Sequence, residues 1–84
     1  MYTVEISKSA FKALSKLPNS VAEKIENALL TLEENPRPPQ SKKLVGFKDL
    51  YRLRIGNYRA IYSINEEIIT IVVLDIGHRK EIYD

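Results

Sequence analysis

The alternation of apolar and polar side chains in the second half of the chain predicts a β-hairpin. In the stretch LYRLRI, residues 50–55, apolar and basic side chains alternate, which is the period of a strand with one buried face. Gly56 and Asn57 follow as a two-residue pair that suits a tight hairpin turn. Residues 58–64 alternate again and form the predicted return strand. Arg59 then falls on the outward face, together with the two arginines of the first strand.

A short strand and a helix are predicted at the start of the chain. Residues 2–6, YTVEI, are typical of a strand. Ser7 is a suitable N-cap for a helix over Lys8–Lys16, because its hydroxyl can accept a hydrogen bond from a backbone N–H of the first turn. We expect this helix to bury Phe11 and Leu14.

A second helix is predicted to extend to about Glu33. Its apolar residues recur with the helical period of 3.6 and form one stripe. They are Val21, Ile25, Ala28, Leu29 and Leu32. The motif NPRPP at 35–39 ends this helix, because the residue before a proline is biased away from the helical conformation.

The remaining pattern completes the predicted fold class. Ile68–Leu74 is almost entirely β-branched and apolar, which predicts a central strand with both faces covered. Residues 40–48 are predicted as a polar loop, and residues 75–84 as a polar tail with a short irregular or helical segment. The order β-α-α-β-β-β indicates an α+β fold, with two N-terminal helices packed on one face of a mostly antiparallel four-stranded sheet. A chain of 84 residues predicts a single domain, 1–84.

Composition excludes several kinds of site. The chain has no cysteine, so a disulfide, a thiolate nucleophile and a cysteine-based zinc site are all excluded. A single histidine provides no metal-ligand set, and we expect no metal or other cofactor. Nothing at the N-terminus is typical of a signal peptide, and the longest apolar run is too short to cross a bilayer. We therefore expect a cytoplasmic protein that does not contact a membrane.

The distribution of charge is more informative than the net charge of +2. Between residues 42 and 59, six basic side chains accompany a single acidic one, Asp49. The basic residues are Lys42, Lys43, Lys48, Arg52, Arg54 and Arg59. One interpretation is a solvated face whose charges pair with Glu66 or Glu67. The other is a site for an anion such as phosphate, because the guanidinium group is planar, always charged and matches two phosphate oxygens.

The arrangement resembles the RelE/ParE superfamily of bacterial and archaeal toxins, the toxic halves of type II toxin–antitoxin pairs. The resemblance covers almost the whole chain. Its most specific parts are YRLRIGNYRAIY, residues 51–62, and GHRKEIY, residues 77–83. Within the superfamily the sequence is similar to the RelE branch, whose members cleave mRNA in the ribosomal A site. The resemblance therefore implies a RelE-like fold and an endoribonuclease, or mRNA interferase.

The resemblance also implies roles for individual residues. Those matched to the reactive set of the RelE branch are Arg59, His78, Arg79 and Tyr83. Those expected to bind the RNA phosphates are Arg52 and Arg54, to which the charge pattern adds Lys43 and Lys48, although these lysines also fit a merely soluble loop. RelE proteins carry lysines at the positions of Arg52 and Arg54. Because arginine is a poor proton acceptor, His78 becomes the better candidate for the general base.

The mechanism and the partners follow from the same resemblance. The ribose 2′-hydroxyl would attack the adjacent phosphorus without a metal, because protein cations can neutralise the developing charge. A cognate RelB-like antitoxin would hold the protein inactive in a hetero-oligomer, and mRNA on the ribosome would be the substrate. Two alternatives stay open: a ParE-like toxin that binds DNA gyrase without nuclease activity, and a non-catalytic module that binds RNA or the ribosome.

Overall fold

The described part of the chain forms five strands, two α-helices and one turn of 3₁₀ helix. The structure, a computed structural model, describes residues 1–78. The strands are β1 (Thr3–Ile6), β2 (Ser41–Lys43), β3 (Leu50–Ile55), β4 (Tyr58–Asn65) and β5 (Thr70–His78), and the helices are α1 (Lys8–Ser15) and α2 (Asn19–Leu30), the latter followed by a 3₁₀ turn (Thr31–Glu33). None of the helices in residues 1–78 is long and apolar enough to cross a membrane.

The sheet is mixed and has the strand order β1-β5-β4-β3-β2. β1 pairs with β5 in parallel, while the other neighbouring pairs are antiparallel. The α+β class and the two N-terminal helices are confirmed, but the prediction of four strands was wrong. The fifth strand, β2, lies within the predicted loop at 40–48. Its three polar residues gave no alternation, and only their backbone pairing with β3 makes them a strand.

Both helices pack their apolar stripes against one face of the sheet. The Ser7 side chain accepts a hydrogen bond from the Ala10 amide at 3.1 Å, which confirms it as the N-cap of α1. Ala10 and Leu14 enter the core, whereas Phe11 is 66% exposed and was wrongly predicted as buried. In α2 the predicted stripe is confirmed, and Ile25 and its neighbours pack on the sheet. These contacts cover one face of the sheet only.

The last strand begins later and ends later than predicted. The Asn65 side chain accepts hydrogen bonds from the amides of Glu67 and Ile68, at 3.0 and 3.3 Å, and so lengthens the turn. Ile68 and Ile69 are therefore exposed turn residues, and Ile69 has a φ of 51°. At its other end β5 continues to His78, within the segment that was predicted to be a polar tail.

Candidate nucleic-acid interface

The register of β3 and β4 brings three arginines onto the face of the sheet that the helices leave uncovered. Arg54 pairs directly with Arg59, and Arg52 pairs with Ile61. Their neighbours in sequence point the other way: Leu53 and Ala60 also pair with each other and are buried against the helices. The predicted grouping of the three arginines on the outward face is therefore confirmed. We call this uncovered side the open face.

The pairing of β2 with β3 adds a fourth cation to the open face. Lys42 of β2 stands opposite Arg52 of β3. β2 therefore borders β3 on one side, and β4, which carries Arg59, borders it on the other. On the far side of β4, Arg59 pairs with Gly77, which has no side chain to cover it. The charge pattern included Lys42, but its place opposite Arg52 could not be predicted without β2.

Arg59 differs from the other cations in its burial. Only 7% of it is exposed, and it is the one buried charged residue in residues 1–78. Arg54, directly opposite, is exposed. A guanidinium group keeps its charge even in such surroundings, and its field is screened less there than in bulk water. Arg59 thus supplies a buried positive charge opposite the exposed charge of Arg54.

The cations line an open groove of about 660 Å³. Its lining residues are Lys42, Lys43, Leu44, Val45, Phe47, Arg52, Arg54 and Arg59. None of these lining residues, all of which belong to the described part of the chain, is acidic. The arginines lie along the strands, while residues 44–47 come from the loop that joins β2 to β3. Several planar cations with no acidic side chain in the lining suit a phosphodiester backbone.

The loop between β2 and β3 forms one wall of this groove. The Leu44 amide donates a hydrogen bond to the Leu50 carbonyl at 2.9 Å and closes the loop. Gly46 has a φ of 87°, a backbone conformation that residues with a side chain rarely adopt. Val45 and Phe47 are 94% and 57% exposed. Lys48 lies on the same loop but is not among the residues that line the groove. Sequence reasoning missed Val45 and Phe47.

His78 lies on the other side of the sheet from the arginines. It pairs with Tyr58, and the two rings meet edge to face with centroids 5.4 Å apart and an interplanar angle of 76°. Tyr58 packs against the core, so the pair belongs to the helix-covered side. The structure does not bring His78 into the groove. Arg79 and Tyr83 lie outside the described residues.

The contacts of a further arginine, Arg37, hold the segment after α2 against the sheet. The Arg37 Nε donates to the Tyr51 hydroxyl at 3.1 Å and its guanidinium forms an ion pair with Glu66. The bond to Tyr51 is the main reason why the pKa of Arg37 is raised above its ordinary value. Tyr62 stacks on Tyr51 and donates to the Pro36 carbonyl at 2.8 Å. Glu66, one of the acids that a solvated arginine face would use, therefore binds Arg37.

Comparison with known proteins agrees with this geometry. Residues 4–83 match the family described as the ParE toxin of the type II toxin–antitoxin system parDE. The mRNA interferase toxin RelE of Escherichia coli is 31% identical, over 98% of this chain and 90% of that protein. In the crystal structure of the archaeal RelE–RelB complex from Pyrococcus horikoshii, the matching chain is 36% identical with a TM-score of 0.83, over 96% of this chain and 98% of that one.

The intact RelBE toxin–antitoxin complex of Escherichia coli gives a TM-score of 0.79 at 30% identity, over 93% of this chain and 96% of the matching one. Sequence and fold thus agree along nearly the whole length of both relatives. The chain belongs to the RelE/ParE superfamily of type II toxins, as a RelE-like member.

Proposed function

We propose that this protein cleaves mRNA in the ribosomal A site, by attack of a ribose 2′-hydroxyl on the adjacent phosphorus. Two kinds of observation support the proposal. The RelE relative from Escherichia coli is named an mRNA interferase. The open face of this chain carries a groove lined by cations, which such a reaction needs to bind the phosphate backbone. The observation that carries it is the buried guanidinium of Arg59, with Arg54 opposite it and no acidic side chain among the described residues that line the groove.

The reaction requires charge neutralisation more than any other chemistry. As the 2′-oxygen bonds to phosphorus, the bond from phosphorus to the 5′-oxygen breaks, and the products are a 2′,3′-cyclic phosphate and a 5′-hydroxyl. The 2′-hydroxyl loses its proton and the 5′-oxygen gains one. The pentavalent transition state carries an additional negative charge, which preorganised cations stabilise without a metal ion. A buried guanidinium is preorganised in this sense.

We assign the scissile phosphate to Arg59 and, from the family resemblance, to Arg79. Arg52 and Arg54 bind and orient the neighbouring backbone, because both lie on the open face beside Arg59. The lysines of the groove rim and its loop, Lys42, Lys43 and Lys48, attract and position the RNA strand as flexible point charges.

We assign proton transfer to Tyr83 and His78. Tyr83 keeps its proposed part in stacking on a base or assisting proton transfer. His78 keeps its proposed part as acid or base, but its ring lies against Tyr58 on the helix-covered side. It therefore acts on the substrate only if the RNA extends around the end of β5.

The proposed protein partner is a RelB-like antitoxin in a toxin–antitoxin hetero-oligomer. The relatives from Pyrococcus horikoshii and Escherichia coli were crystallised with RelB. Among the strands of residues 1–78, β1 lies at one edge of the sheet, next to β5. Its unpaired backbone groups are a suitable place for a strand of the antitoxin.

Primer extension on mRNA in programmed ribosomes tests the proposed function. Wild-type protein is compared with Arg59→Ala, and naked RNA of the same sequence serves as the substrate control. Removing one preorganised cation should reduce the cleavage rate by about 10²- to 10³-fold. Cuts confined to A-site codons and absent from naked RNA are expected.

Because Arg59 is buried, circular dichroism must show that the variant is folded. Arg59→Met, which keeps an unbranched side chain without the charge, should be as slow as Arg59→Ala. If folded wild-type protein makes no cuts, the proposal is wrong, and inhibition of DNA gyrase supercoiling becomes the next measurement.

A further inference from the structure

We propose that Phe47 is a stacking platform on which the groove holds one unpaired RNA base. The inference rests on the proposed function and adds the part of the substrate that the cations do not recognise. Phosphate contacts position a nucleic acid but do not distinguish a nucleotide that carries a base from one that lacks it. An aromatic ring does, because every base offers a flat face on which it can stack.

The exposure of Phe47 is the first observation. The ring is 57% exposed, and Val45, two residues earlier, is 94% exposed. Two large apolar side chains so close together on one loop form an apolar patch rather than a scattered surface residue. Such a patch is expected to contact a ligand.

The position of the patch indicates which ligand. Phe47 lines the same groove as Arg52, Arg54 and Arg59. An apolar ring next to guanidinium groups matches a nucleotide, in which a flat base is joined to a charged phosphate. An acidic protein segment would also bind the cations, but it does not require a flat aromatic surface beside them.

The loop is anchored at both ends, so the ring has a defined place. The Leu44 amide bonds to the Leu50 carbonyl at 2.9 Å, and the Ile64 amide bonds to the Asp49 carbonyl at 3.2 Å. These bonds tie the loop to both strands of the arginine hairpin. A base that stacks on Phe47 would therefore be held at a fixed distance from the phosphates over Arg52.

Cleavage kinetics on programmed ribosomes provide the first test. Phe47→Ala should reduce kcat/KM about tenfold, mainly through KM, because stacking holds the base before and during the reaction. Phe47→Trp keeps a stacking surface and should stay close to wild type. Loss in the alanine variant with recovery in the tryptophan variant distinguishes stacking from a merely structural effect.

Fluorescence provides a direct test, because the chain has no tryptophan of its own. In Phe47→Trp the introduced indole reports on the groove, and in the control Phe11→Trp it reports on α1, where Phe11 is 66% exposed. The probe is a 2′-O-methyl RNA oligomer, which cannot be cleaved by 2′-hydroxyl attack. A matching oligomer with the same phosphates and no bases is the second probe.

The complete oligomer should quench the fluorescence of Phe47→Trp, and the oligomer without bases should bind, as measured by its anisotropy, without quenching. Phe11→Trp should respond to neither. The inference is overturned if Phe47→Ala retains the wild-type kcat/KM, or if bound RNA leaves the indole fluorescence unchanged. It is likewise overturned if only the antitoxin quenches the indole.

Failure of the proposed function gives a different result. Wild-type protein then makes no cuts, and the kinetic comparison has no rate to compare. The fluorescence titration still decides whether a base stacks on the ring at position 47.

Discussion

Arg54 and Arg59 stand directly opposite each other on β3 and β4. Like charges in directly opposed positions of a sheet repel and reduce its stability. The repulsion disappears when an anion lies between the two guanidinium groups. The pair is therefore a suitable place for an anion to bind, because one phosphate can interact with both guanidinium groups.

Replacing Arg54 by glutamine should stabilise the free protein while it slows cleavage. Removal of the like-charge pair should raise the free energy of unfolding by about 0.5 kcal/mol at low ionic strength, and by less in high salt. Urea unfolding at two salt concentrations measures the effect. Arg54→Lys keeps the positive charge and should not be stabilised. Equal stability of Arg54→Gln and wild type would show that the repulsion is already compensated.

Lys42 and Lys48 should differ in their effect on RNA binding. Lys42 stands beside Arg52 on the open face, whereas Lys48 lies on the loop away from the groove lining. Each phosphate contact contributes about 0.7 to the slope of log K against log salt for a single strand. Lys42→Ala should therefore lower this slope by about 0.7. Titration with an uncleavable oligomer at several salt concentrations measures it, and Lys48→Ala should lower the slope by less.

Which of these two substitutions has the larger effect also indicates the path of the RNA. If the salt slope falls more in Lys48→Ala than in Lys42→Ala, the RNA passes over the loop rather than along the strands.

His78→Asn should reduce stability, and the size of its effect on activity tests the proposed part of His78 as acid or base. The histidine ring packs on Tyr58 on the helix-covered side, so its removal should cost about 1 kcal/mol of unfolding free energy. A general base, by contrast, contributes about 10²-fold or more to the rate. Denaturant unfolding and single-turnover cleavage of the same variant separate the two effects. A loss of that size in a folded variant would assign proton transfer to His78.

Alkaline pH should remove the contribution of Tyr62 to stability. Burial raises the pKa of its phenol above the ordinary value of 10.0, and the hydroxyl donates to the Pro36 carbonyl. The raised pKa means that the contribution is complete below pH 10.0 and is lost as the pH rises through the folded pKa. Wild type should exceed Tyr62→Phe in stability by about 1 kcal/mol at neutral pH.

This difference should shrink as the pH rises above 10.0, because the phenol of the unfolded chain ionises first. Unfolding of both proteins across that range measures it. A constant difference would indicate that the Tyr62 hydroxyl keeps the same proton affinity in both states.

Most of the fold follows from local patterns in the sequence. The β3–β4 hairpin and the α2 stripe were predictable because alternation and the 3.6 period are local signals. β2 was not, since three polar residues become a strand only by pairing with β3. Phe11 was misplaced because both Ala10 and Phe11 fit the α1 pattern, and only the packed core decides which one faces it.

The candidate site divides in the same way. The arginines of the open face were predictable, because their spacing fixes the side of the strand on which they lie. Lys42 and Phe47 were not, because their places depend on how the β2–β3 loop returns over the sheet. The side occupied by His78 depends on the register of β5 against β4, which includes an irregularity between Ile61 and Tyr62 that no local pattern reveals.

The parallel pairing of β1 with β5 has a consequence for biosynthesis. Val4 reaches its place beside Ile71 only after residue 71 has left the ribosome, so the sheet cannot close before β5 has been synthesised. Ile71 and Val73, two fully buried residues of the core, also arrive with this last strand. The hairpin that carries the three arginines therefore gains its full apolar support only when β5 has joined the sheet.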